Sequence, residues 1–165
     1  MGKIGIRRAW RWLSRYGRDR RGNIAALTAA LIIPLIGIMG LATETGSWFL
    51  IQRAEQNAAD SAVLATGENW LFGGVNYIAE GQSNAAKFGF ANGASCPTAS
   101  PAVDTSCVTP AVNQACPAPY TGVTSCMTVT IAKSIPLTFS KILGYSGTGG
   151  TGKQTIVATA VAKSG

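Results

Sequence analysis

From Gly22 to Thr43 the chain carries no charged residue, and Ile24, Leu27, Leu31, Ile32, Ile33, Leu35, Ile36, Ile38, Met39 and Leu41 make the run strongly apolar. A helix over Asn23 to Thr43 would be about 30 Å long, close to the hydrocarbon thickness of a bilayer. Pro34, Gly37 and Gly40 are residues that membrane helices tolerate. The pattern then changes. Glu44 to Phe72 is proline-free and rich in helix formers, which predicts that the membrane helix continues into water. Gly46 weakens that continuity by about 1 kcal/mol relative to alanine. Within this stretch Ala54, Ala58 and Ala62 recur every fourth residue. Such a smooth stripe can seat the chain's own domain or pack against another helix.

Gly73-Gly74 is read as a break, Asn76 to Ala91 as a second helix, and Asn92-Gly93 as its C-terminal stop. Ala94 to Gly122 holds mostly Pro, Ser, Thr, Ala and Cys, with few large apolar residues, and reads as a stapled loop. At Ser125 to Lys133, Met127, Val129 and Ile131 alternate with Thr128 and Thr130, the signature of a strand with one buried face. Ile135 to Leu143 starts extended at Pro136 and includes a short helical turn at 139–143. Thr155 to Ala162 is a further strand, with Val157 and Val161 on one face and Ile156, Ala158 and Ala160 on the other. The expected fold class is therefore α+β: a single transmembrane helix extended into a long N-terminal helix, a second helix and a small antiparallel sheet. The expected organisation is a tail over 1–21, a membrane span over 22–43, a helical region over 44–93, a Cys/Pro/Ser-rich loop over 94–124 and a β region over 125–165.

Charge fixes the expected orientation. Residues 1–21 hold eight Lys or Arg against Asp19, whereas the rest of the chain balances six against six. Short basic flanks stay on the cytoplasmic side, so the C-terminal part is expected outside a bacterial inner membrane. Trp10, Trp12 and Tyr16 on one side and Trp48 and Phe49 on the other are placed to mark the two headgroup layers. A secretory signal would have a shorter apolar region of about 7–15 residues and a small-x-small cut site. Gly40-Leu41-Ala42 matches that pattern only faintly, and an uncleaved anchor is favoured.

All four cysteines, Cys96, Cys107, Cys116 and Cys126, fall on the expected outer side, where disulfides persist. Three full pairings are open to them, and the local pairs Cys96–Cys107 and Cys116–Cys126 are preferred. Zinc is the rival explanation, but the chain lacks histidine and any CxxC pair, so no metal is expected.

The chemistry-bearing signals are weak. Gly147 to Lys153 matches GxxxxGK, yet Gln154 stands where a Ser or Thr would meet magnesium, and a strand pattern follows in place of a helix. A glycine-rich turn explains it without a ligand. The acids are scattered, with Glu44, Glu55, Asp60 and Glu68 mostly on a presumed solvated helix face, and no catalytic residue, cofactor or small-molecule substrate is expected. The tail Arg7-Arg8-Ala9-Trp10-Arg11-Trp12 is explained by topology and anionic lipid at about 1 kcal/mol per basic residue, in preference to nucleic acid.

Arg20-Arg21-Gly22-Asn23-Ile24-Ala25-Ala26-Leu27, the apolar run, and Gln52-Arg53-Ala54-Glu55-Gln56-Asn57-Ala58-Ala59-Asp60-Ser61-Ala62 together resemble the N-terminal region of TadE/TadG-like proteins of the tight-adherence (Flp) pilus-assembly system. The resemblance covers residues 18–66, with weaker matches at Asn92-Gly93, Ile135-Pro136-Leu137 and 158–162. It implies an envelope protein that helps build or anchor an adhesive pilus, with the bilayer and other pilus-assembly or pilin proteins as partners. Some pilin-like relatives are cut after a glycine at the start of the apolar run. Gly22-Asn23 occupies that place, but Leu27 replaces the usual glutamate five residues later, and the intact anchor is the reading carried over. Beside it stands a membrane-tethered binding or envelope-integrity module unrelated to pili, which would use the Cys96 to Cys126 region.

Overall fold

A computed structural model describes residues 23–93, 96 and 105–164. The basic tail, the Gly22 side of the Gly22-Asn23 junction, and residues 97–104 of the expected loop lie outside the described residues. Contacts divide the chain into a unit over 1–42 and a unit over 43–165. The fold is α+β. A long helix, α1 (Asn23–Leu71), is followed by α2 (Tyr77–Lys87), β1 (Ser106–Gln114), β2 (Cys126–Pro136), the single turn α3 (Phe139–Ile142), a 3-10 turn (Thr148–Gly150) and β3 (Lys153–Lys163). The three strands form one antiparallel sheet in the order β1-β2-β3.

Sheet alternation places Met127, Val129 and Ile131 of β2, Val108 of β1 and Ala160 of β3 on one face. That face shares a core with Ala58, Ala59, Ala62 and Val63 of α1, Ala85 of α2 and Phe90. Small side chains on α1 let its backbone lie close to the sheet. At Gly67 an added methyl would come within 2.9 Å of Met127 Sδ.

The second helix stops earlier than the sequence reading has it. Its end is a Schellman motif: Gly89, at φ 87°, turns the chain so that Phe90 N–H bonds to Ala85 O and Gly89 N–H to Ala86 O. Phe90 then inserts beside Ala85 in the core. Asn92-Gly93 serves the sheet instead, since Asn92 bridges to Ser106 and accepts the Val108 N–H on its Oδ1 at 2.9 Å.

A second correction concerns the stretch read as loop, which contains β1. The signal was weak because Pro110 interrupts the strand and only Val108 and Val112 are large and apolar. Proline is tolerated there because its missing N–H would point away from β2, on the strand's outer side. A bulge with Asn113 at φ 56° ends the regular pairing.

Helix α2 crosses α1 at a glycine. A methyl on Gly81 would collide with Thr66 Oγ1 and reach Pro110 Cγ at 3.0 Å, and the Thr66 hydroxyl is already donated to Ala62 O at 2.8 Å. Gly81→Ala is therefore expected to lower stability by about 1 kcal/mol net, because overpacking of about 1–3 kcal/mol exceeds the roughly 1 kcal/mol that alanine gains in a helix. A lower urea midpoint for the full chain in detergent micelles checks this, and an unchanged or higher midpoint contradicts it.

Candidate functional site

The distinctive element is α1, and its two parts differ in what surrounds them. Along residues 24–39 the large apolar side chains are exposed on successive turns, including Ile24, Leu27, Leu31, Ile33, Leu35, Ile38 and Met39. Water would make such a helix unfavourable, whereas a bilayer solvates apolar side chains on all sides. It is the one described helix with the length and composition to cross a membrane. Pro34 removes one N–H inside it without ending it.

From Glu44 onward one stripe of α1 is buried within the second unit: Glu44, Glu55, Ala58, Ala62 and Thr66, with Trp48 and Ile51 partly covered. Ala58 and Ala62 of the alanine stripe are fully buried in the chain's own core, while Ala54 is exposed. Ala58 and Ala62 thus share the domain's own core.

The two glutamates on this stripe are buried, which corrects their reading as solvated. Glu44 reaches across to the start of α3. Its Oε1 accepts the Thr138 N–H at 2.7 Å and the Ser140 hydroxyl at 3.2 Å, while Oε2 accepts the N–H groups of Phe139 at 3.0 Å and Ser140 at 2.7 Å. A one-turn helix leaves its first N–H groups without internal partners, and this distant carboxylate supplies them. Burial alone would push the Glu44 carboxyl up, but these donors outweigh it and hold the group below its ordinary value of 4.5. The contact ties the start of α1's buried stripe to a segment 94 residues later.

Glu55 has the opposite environment. It is fully buried, and neither carboxylate oxygen has a hydrogen-bond partner among the described residues. Burial pushes its carboxyl up to about 8, with the positive charge of Lys133 pulling the other way.

The sequence did hold a signal for both. Glu44, Trp48, Ile51, Glu55, Ala58 and Ala62 follow one another at intervals of four and three, the spacing of a single helix stripe facing a partner. Composition hid it, because a carboxylate counts as solvated in any hydropathy reading.

The cysteines pair locally. Cys96 and Cys107 are bridged with Cα atoms 5.4 Å apart, and Cys116 and Cys126 with Cα atoms 5.2 Å apart. The first ties the residues after α2 to β1, and the second closes the segment between β1 and β2. Gly147 to Gly152 forms a turn with Gly147, Gly149, Gly150 and Gly152 at positive φ, and Lys153 opens β3. No helix N-terminus follows it to receive a phosphate.

Residues 22–69 match the family model described as "Putative Flp pilus-assembly TadE/G-like". The chain carries a TadE/G-like segment. That segment coincides with nearly all of α1, so it takes in the exposed apolar run, Glu44, Glu55 and the buried alanines. The sheet and α2 lie beyond it. No curated protein and no solved structure matches the chain. The TadE/G-like segment supports a pilus-related role, and its apolar part fits a single-pass membrane protein.

Proposed function

We propose that this protein is a non-enzymatic, membrane-anchored structural or assembly component of a Tad/Flp-type adhesive pilus. The observation that carries the reading is the coincidence of the TadE/G-like match with one helix that is apolar and exposed in its first part and seated on a disulfide-bearing domain in its second. In this reading residues 1–21 stay in the cytoplasm, residues 22–43 cross the inner membrane intact at Gly22-Asn23, and the remainder stands in the periplasm. The basic tail supports that orientation, since eight positive charges are costly to move across a bilayer. The two disulfides support an oxidising location for the domain. The partners are the bilayer and other pilus-assembly or pilin proteins.

Deleting the gene is expected to abolish or sharply reduce surface pili and adherence, with restoration by the full-length gene. Unchanged pili in the deletion strain would remove the proposal. Protease added to intact spheroplasts is expected to degrade the 43–165 unit and spare an epitope in the tail; the reverse pattern would overturn the orientation.

A further inference from the structure

The turn that Glu44 holds is apolar and exposed. Ile142 and Leu143 are 80% and 70% exposed, Phe139 and Tyr145 are exposed as well, and none of the four belongs to the domain's core. Four hydrogen bonds to one carboxylate therefore fix a single helical turn whose large apolar side chains bury little within the chain. Exposed apolar residues scattered singly need no explanation, but a cluster held in place by a buried charge does.

Two attachments set the level of this turn along α1. Its head is bonded to Glu44, the residue after Thr43, and the Tyr145 ring lies against Trp48 with centroids 6.5 Å apart. A span that ends at Thr43 leaves residues 44–48 of α1 within about 8 Å of the hydrocarbon edge, at ~1.5 Å per residue. A headgroup layer is about 5–8 Å deep, given a ~30 Å core in a bilayer of about 40–45 Å. The turn thus stands at headgroup depth. Charge suits the same surface, since the chain from Thr105 to Gly165 has four lysines and no acid. Lys141 lies in α3, and Lys153 precedes Gln154, which accepts the Tyr145 hydroxyl at 2.7 Å. The nearby acid, Glu44, is buried with its charge met by its four donors. Glu68 and Glu80, which line one cavity, belong to the far end of the domain, with Glu68 about 36 Å along α1 from Glu44.

We propose that the turn over residues 139–145 is a second membrane contact, in which Ile142 and Leu143 enter the lipid at the headgroup boundary. Tyr145 and Trp48 then share the polar layer, where amphipathic rings are favoured, and Lys141 extends its charge to anionic headgroups. Lipid is the occupant because the turn is fastened to the first residues of α1 beyond the apolar run, so the bilayer that surrounds that run also reaches the turn. The inference rests on reading residues 22–43 as the membrane span; it requires neither a particular orientation nor a pilus. It also gives the Glu44 contact a purpose beyond stability, since the carboxylate then holds a lipid-binding turn against the anchor.

The test uses the full chain in nanodiscs of phosphatidylcholine and phosphatidylglycerol, whose two faces are both open to solvent. A nitroxide is attached to one introduced thiol at a time: Leu31→Cys in the span, Leu143→Cys in the turn, or Ser83→Cys on the exposed side of α2. Ser83 is a distant control, since its neighbour Asn84 is bonded to Ser61, about 25 Å along α1 from Glu44. Collisions are read by electron paramagnetic resonance with molecular oxygen, which concentrates in lipid, and with a neutral nickel chelate, which stays in water. The label at 143 is expected to meet the chelate several-fold less often than the label at 83, and oxygen at least as often. A label at 143 as open to the chelate as that at 83 overturns the proposal, and so does one shielded from both reagents, as a protein partner would leave it. The label at 31 is expected to meet oxygen and exclude the chelate. If it meets the chelate freely, the anchor reading fails and takes this proposal with it; if 31 is in lipid and 143 is not, the anchor stands and the turn's contact alone is removed. Should a label at 143 disturb the Cys96–Cys107 or Cys116–Cys126 pairing, Ile142→Cys takes its place with the same expected result.

Discussion

Replacing Glu44 by alanine is expected to cost the folded chain about 4 kcal/mol, and to show as a lower urea midpoint of the full chain in detergent micelles under non-reducing conditions. The side chain satisfies three backbone N–H groups and one hydroxyl at the head of α3. Each hydrogen bond to a charged acceptor contributes about 1.5–3 kcal/mol, but they share one carboxylate and the freed donors regain some water, so the sum is not additive. Glu44→Gln keeps one acceptor oxygen and turns an NH₂ group towards donors, so about half the loss is expected. The pH dependence has a definite sign. Because the folded carboxyl lies below its unfolded value of 4.5, its stabilisation is fully present above pH 4.5 and is lost as pH falls through the lowered folded value. The Glu44→Ala chain should therefore lose less stability than the parent on acidification below pH 4.5. Equal midpoints for parent and variant at pH 7 would show that the contact does not hold α3.

The parts of this fold that were legible in the sequence are those where one physical signal dominates. Twenty-two uncharged positions announce an apolar helix, and the alternation of Met127, Val129 and Ile131 announces a half-buried strand. The ends of elements were less legible: Gly89 has the positive φ that stops α2, but Asn92-Gly93 offered an equally good local stop. β1 was hidden because its pairing partner β2, rather than its own composition, makes it a strand. The buried glutamates were the deepest miss. Nothing near Glu44 in sequence reveals that the unfilled N–H groups of Thr138 to Ser140 lie within reach, since that knowledge requires the tertiary fold. Once both carboxylates sit on the buried stripe of α1, the part of the chain that matches the pilus-assembly family also becomes the part that fixes how the domain grips its helix.

Glu55 makes the opposite contribution, and Glu55→Gln is expected to stabilise the chain by about 3 kcal/mol at pH 7. The carboxyl is fully buried without a hydrogen-bond donor, and burial raises it to about 8 against the pull of Lys133. At neutral pH the folded chain therefore keeps a proton that the unfolded chain, titrating near 4.5, has released. Below pH 4.5 both states are protonated and Glu55 causes no loss. Between 4.5 and about 8 the folded state binds the extra proton, so stability falls steadily with rising pH, and above that window the loss is constant at about 5 kcal/mol. Glutamine is close in shape and neutral throughout, so it removes this slope while keeping the packing of α1 on β2. Urea midpoints of parent and Glu55→Gln chains are expected to coincide near pH 4 and to separate progressively up to pH 8. Together with Glu44, whose contribution fails only below pH 4.5, this sets the parent's stability maximum in mildly acidic solution. Removing the Lys133 charge by Lys133→Met should extend the falling limb to higher pH, because the carboxylate loses the nearby charge that favours its ionised form. Parallel pH profiles for the parent and Glu55→Gln chains would mean that Glu55 is ionised in the folded protein at neutral pH, with water or a cation reaching a carboxylate that the packing of α1 leaves dry.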